Sequence, residues 1–125
     1  MVTKHPIYPD RIRKIPKQFS WLDHRLVNEH YIDRCTHKAA ALYLFLVTVA
    51  DANGMSYYST RTLARRLGMD ESAVTQVRGE LVDIGLIAYR KPLYQVLAID
   101  AEPVRTGGGL QSVGQIFKRI AEGRP

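Results

Sequence analysis

The chain has 125 residues, room for one compact domain with tails, and a hydrophobic share of 46%, too high for a wholly disordered polymer. A single cysteine, Cys35, excludes an intrachain disulfide framework, and the longest apolar run, Ala39 to Ala50, is too short to span a bilayer. The net charge of +6 sits at the ends: residues 1–20 carry five basic and one acidic side chain, residues 101–125 four and two, and residues 21–100 nine of each.

The basic N-terminus is not followed by an apolar signal-peptide stretch, so a soluble cytoplasmic protein is expected. Basic ends around a neutral middle suit a polyanion such as nucleic acid, and equally suit solvated tails.

Residues 1–18, with Pro6, Pro9 and Pro16, cannot hold a long helix and read as an extended basic arm. From Phe19 to Arg34 the apolar spacing (Phe19, Trp21, Leu22, Leu26, Val27, Tyr31, Ile32) predicts one or two short helices. Thr36 is positioned to cap a helix over Lys38–Ala52, ended by a left-handed turn at Asn53-Gly54. That helix is apolar almost all round, so it needs cover on several sides, from its own domain or from a partner chain. Met55 to Ser59 is a short strand or an extended link.

Ser59 or Thr60 then caps a helix over Arg61–Leu67 with Leu63, Ala64 and Leu67 inward, and Gly68 stops it. Asp70 caps the next helix, whose inner face is Val74, Val77, Leu81 and Ile84, and Gly85 ends it. Two apolar runs, Leu86–Tyr89 and Tyr94–Ile99, flank a basic tip at Arg90-Lys91-Pro92-Leu93 and form a hairpin. Residues 101–109 are a Gly-rich linker, and Leu110, Val113, Ile116, Phe117 and Ile120 fall at the spacing of an amphipathic helix within residues 110–125. The domain proper is therefore residues 19–100, mainly α with a small β-hairpin.

Two short helices joined by a glycine turn and followed by a β-ribbon follow the plan of a winged helix-turn-helix. The run Leu63-Ala-Arg-Arg-Leu-Gly-Met-Asp-Glu-Ser-Ala-Val74, with Leu81 and Gly85-Leu-Ile beyond it, resembles bacterial winged helix-turn-helix DNA-binding domains. The apolar helix running through Ala50-Asp-Ala-Asn-Gly into Ser56-Tyr-Tyr-Ser is similar to helix-turn-helix proteins of plasmid replication initiation and mobile elements. The resemblance covers about residues 36–100 and implies sequence-specific binding of double-stranded DNA. The role would be that of a transcriptional regulator or of a replication or mobile-element accessory factor.

With Val74, Val77, Leu81 and Ile84 inward, a helical wheel leaves Ser72, Thr75, Gln76 and Gly79 at the centre of the outward face, flanked by Glu71 and Arg78. Gln76 pairs well with adenine edges, Arg78 with guanine or phosphate, and Ser72 and Thr75 with either base or backbone; Gly79 allows close approach to a backbone. The helix of about Asp70–Ile84 is thus expected to enter the major groove. Arg61, Arg65 and Arg66 on the preceding helix, Arg90 and Lys91 at the wing tip, and Arg11, Arg13 and Lys14 on the arm are the expected phosphate contacts. Acidic Glu71, Glu80 and Asp83 weigh against DNA, and the competing function is a protein-binding winged-helix adaptor.

The crowd Asp23, His24, Glu29, His30, Asp33, Cys35 and His37 lacks any recognised zinc spacing, so no metal or other cofactor is expected. Nothing resembles a nucleophile elbow, phosphate loop or acid–base pair, so the chain does not read as an enzyme. A homodimer is expected, because one motif contacts only a few base pairs and two-fold pairing doubles the site. The 38–52 helix and the stripe Leu110, Val113, Ile116, Phe117 and Ile120 are its candidate surfaces. That stripe equally suits a fold-back onto its own core or a separate protein partner.

Overall fold

The structure, a computed structural model, describes residues 3–99. The expected linker over 101–109 and the expected helix over 110–125 lie outside those residues. Residues 3–20 are exposed throughout, and their one regular feature is a 3-10 turn, Pro9–Arg11, where proline's fixed φ favours the first position. Helix α1, Arg25–Asn28, and a 3-10 turn, Ile32–Arg34, are the two short helices of the next segment.

Helix α2, His37–Val49, begins where Thr36 Oγ1 accepts the Ala39 N–H at 3.2 Å. It ends three residues before the expected Ala52. The Asp51 carboxylate accepts the backbone N–H groups of Asn53 (2.8 Å) and Met55 (2.9 Å), so a side-chain-bonded turn competes successfully with further helix. Gly54 follows at φ +87°, and a Cβ there would lie 2.7 Å from the Val96 carbonyl oxygen. Glycine is what lets residue 96 pass close enough to donate its N–H to the Gly54 carbonyl at 2.8 Å.

Strand β1, Met55–Tyr57, leads to α3, Thr60–Leu67, capped by Ser59 Oγ accepting the Thr62 N–H. Gly68 takes the left-handed conformation at φ +69° and donates its N–H to the Ala64 carbonyl, which turns the chain into α4, Glu71–Ile84. The Asp70 carboxylate caps α4 by accepting the Ala73 N–H at 2.9 Å. Strands β2, Ile87–Arg90, and β3, Leu93–Val96, form the expected hairpin. Beyond the hairpin, β1 joins as a third antiparallel strand in the order β1-β3-β2, with Ser56 opposite Tyr94 and Tyr89 opposite Tyr94 on the other side.

Leu42 and Leu46 of α2, Leu63 of α3, Val74 and Leu81 of α4, and Leu86, Ile87 and Tyr94 around the hairpin are fully buried together. The faces expected to point inward do so, with Leu67 and Ile84 at the rim of the core. Helix α2 is covered by its own domain on most sides; Phe45 and Val47 are half-buried and Leu44 is the large apolar residue left 55% exposed. No helix among the described residues is long and apolar enough to cross a membrane.

Candidate nucleic-acid interface

The Gly68 turn sends α4 across α3 with one flank in the core and the other in solvent. Ser72, Thr75, Gln76 and Gly79 are all exposed on that outer flank. Ser72 and Gln76 are four residues apart, as are Thr75 and Gly79, so the four form two adjacent rows of one face. The Ser72 hydroxyl donates to Asp70 Oδ1 at 3.0 Å, so its oxygen is turned toward the cap. The Ala73 N–H, and after it the Ser72 hydroxyl, hold the Asp70 carboxyl below the ordinary range. Gln76 has no side-chain hydrogen bond among the described residues and presents both its donor and its acceptor outward.

A groove runs between this face and the wing. It is lined by Thr60 and Arg61 at the start of α3, Ser72 and Thr75 of α4, and Tyr89 and Lys91 of the hairpin. The helix start, the outward face and the wing tip therefore address one space, which a contiguous stretch of polyanion could fill. Arg90 and Lys91 are exposed at the turn.

Arg78 departs from its expected place beside the base-reading residues. Its guanidinium turns inward, donating to Tyr94 Oη at 2.9 Å and to Thr60 Oγ1 at 3.1 Å, with a longer contact to Thr75 Oγ1 at 3.4 Å. The same group lies over the Tyr89 ring, 4.2 Å from its centroid. Tyr94 is fully buried, and burial pushes its phenol up while the Arg78 charge and hydrogen bond oppose the shift. A neutral phenol buried in the sheet needs a partner, and Arg78 supplies it. The sequence signal was present: position 78 is four beyond Val74 and three before Leu81, on the edge of the buried face. Arg78 thus ties α4, the start of α3 and both hairpin strands into one unit and is occupied as a positioning residue.

The three arginines of α3 also separate. Arg61 and Arg65 are exposed and line a notch with Met69, Asp70 and Glu71 at the N-terminal end of α4, where the helix dipole adds positive potential. Arg66 is exposed but leans over Phe45 of α2, 5.6 Å from the ring centroid, on another side of α3. Of the acids that weighed against DNA, Glu80 accepts a hydrogen bond from the Thr36 hydroxyl at 3.0 Å and so joins α4 to the α2 cap. Glu71 remains at the rim of the groove and Asp83 is exposed. Arg11, Arg13 and Lys14 are exposed on the arm, and no described contact joins them to α4 or the wing.

Among the crowded polar residues around the start of α2, Asp23, His30, Asp33 and Cys35 make separate local contacts. Hydrogen bonds from the Arg25 side chain, then from its backbone N–H, hold the Asp23 carboxyl at about 2. His30 Nδ1 meets Asp33 Oδ2 at 2.9 Å, and Cys35 Sγ lies 3.7 Å from the Tyr31 carbonyl. Among the described residues no three of these side chains converge on one point.

Residues 36–87 match the family model described as a helix-turn-helix domain. No curated protein matches the chain. Among solved structures it is similar to one described as "Structure of Rep-DNA complex", at 16% identity over 87% of this chain and 91% of that one, with a TM-score of 0.46. The matched domain supports DNA binding, and its limits fall at the Thr36 cap and at the first residue of β2. Residues 36–87 thus form a helix-turn-helix domain, and the fold is that of a winged helix-turn-helix with the hairpin as the wing.

Proposed function

We propose that the protein binds double-stranded DNA sequence-specifically, with α4 in the major groove, as a transcriptional regulator or as a replication or mobile-element accessory factor. The observation that carries the reading is the outward face of Ser72, Thr75, Gln76 and Gly79. It faces solvent beside a groove shared with Arg61 and Lys91, inside a helix-turn-helix domain. Gln76 is the residue suited to an adenine edge, and Ser72 and Thr75 suit base or sugar-phosphate oxygens. Arg61, Arg65, Arg90 and Lys91 supply phosphate contacts, and Arg11, Arg13 and Lys14 add charge from the arm. The function is binding and not catalysis. Two copies pair into a homodimer, which doubles the length of DNA read; the exposed Leu44 marks the side of α2 open to a second chain.

The test is binding of the purified full chain to a random duplex pool, with sequencing of the survivors and a salt titration. An enriched site is expected, with affinity falling at least about tenfold between low and physiological salt as phosphate counterions are released. No binding at low salt, to selected or genomic DNA, would leave the protein-binding adaptor as the reading.

A further inference from the structure

A second groove, of about 490 Å³, lies away from the α4 face. Its walls are Phe19 and Trp21 at the end of the arm, Tyr43 and Val47 of α2, and the chain from Val96 to Ile99. The arm is held there by a hydrogen bond from Ser20 Oγ to the Thr48 carbonyl at 3.4 Å. Within it Ile99 is buried (7% exposed), whereas Phe19 is 60% and Trp21 73% exposed. Two aromatic rings against a half-filled groove form an apolar surface with no cover among the described residues.

The sequence beyond Ile99 contains a matching surface. Leu110, Val113, Ile116, Phe117 and Ile120 recur at three- and four-residue spacing, with Lys118 and Arg119 beside them, and Asp51 stands at the rim of the groove. The chain leaves the described fold at the groove itself, and Leu110 follows Ile99 by eleven residues that include Gly107, Gly108 and Gly109. A random-coil tether of eleven residues spans roughly 18 Å on average. It holds its end near the groove at an effective concentration on the order of millimolar. A second copy at micromolar concentration competes poorly with such a neighbour.

We infer that residues 110–120 of the same chain dock their apolar stripe in the groove between Phe19-Trp21 and Val96–Ile99 and cover Trp21. This inference is independent of the DNA reading, because the groove shares no lining residue with the α4–wing groove. Trp21 is the single tryptophan, so its fluorescence reports the site without interference. In the full chain, Trp21 is expected to be shielded from acrylamide quenching, to the same degree across a wide range of protein concentration. Phe117→Asp should raise quenching several-fold and shift the emission to the red, and Phe117→Leu should keep the shielding. Urea titration of each variant separates lost docking from lost folding. Quenching in the native full chain as strong as in Phe117→Asp overturns the inference. So does shielding that appears only as protein concentration rises, which would assign the groove to a second copy.

Discussion

Among the described residues, the buried apolar side chains run from Ala39 to Ile99, whereas the segment before Thr36 leaves Ile7, Ile12, Phe19, Trp21 and Val27 more than half exposed. Both regions are rich in apolar residues, and they differ in periodicity. Helices α2, α3 and α4 and the hairpin each offer a repeating face that another element can cover, so their apolar area leaves water. The proline-broken arm has no such face and remains on the surface. Apolar content alone does not make a core. The groove residues sit on the folded unit, while the arm lies on its surface, exposed along residues 3–20.

The largest contrast to test is therefore in stability. Leu81→Ala, at a fully buried site in α4, is expected to lower stability by about 3 kcal/mol in urea denaturation. Ile12→Ala, at an exposed arm site, is expected to change it by less than about 0.5 kcal/mol. If Ile12→Ala cost as much as the core variant, the arm would belong to the cooperative unit and the contrast would collapse.

The next effect concerns the join between helices and wing. Arg78→Ala removes two charged hydrogen bonds and leaves the buried Tyr94 hydroxyl without its partner, a loss of about 2 kcal/mol. With the wing no longer fixed to α4, affinity for preferred and random DNA should fall by the same factor. Unchanged stability with a selective loss of base preference would return Arg78 to the direct reading role expected from its place in the sequence.

That reversal shows what a sequence does and does not make readable here. The caps at Thr36, Ser59 and Asp70, the turn at Gly68 and the inward positions of α3 and α4 were legible because each depends on residues within four positions. The pairing of the third strand was not: Met55 to Ser59 reads as a short strand or an extended link, but Ser56 opposite Tyr94 is a pairing across 38 positions that nothing local announces. For Arg78 the local spacing puts the side chain at the edge of the buried face, but its partners Thr60 and Tyr94 lie 18 and 16 residues away and are not readable from that spacing. The end of α2 was legible in principle, because Asp51 two residues before Asn53 is a side-chain turn signal, but the apolar rhythm up to Ala52 masked it.

On the outward face itself, Gln76→Ala should weaken the best site by about 1.5 kcal/mol and leave random DNA nearly unchanged. Arg65→Ala or Lys91→Ala should weaken both equally and flatten the salt dependence, as lost phosphate contacts do. Competition binding with selected and scrambled duplexes separates the two patterns. A Gln76→Ala chain that keeps its preference would move base reading to Ser72 and Thr75 or away from α4 altogether.

The smallest effect is the most diagnostic, because its two halves have opposite signs. Gly79 sits in the middle of α4, where glycine is less favourable than alanine by about 1 kcal/mol. Nothing in the folded chain requires it: an added Cβ would meet no atom within 4 Å. Its backbone is helical, so the substitution also brings no strain. Gly79→Ala should therefore stabilise the free protein by up to about 1 kcal/mol, through the backbone freedom the unfolded chain loses. If Gly79 is there so that a DNA strand can approach the α4 backbone, the same methyl group must reduce affinity. The two measurements are thermal or urea denaturation of the free chain and titration against the selected duplex. A more stable protein that binds less well assigns the glycine to the interface, whereas a more stable protein with unaltered binding places the DNA contact elsewhere on the helix.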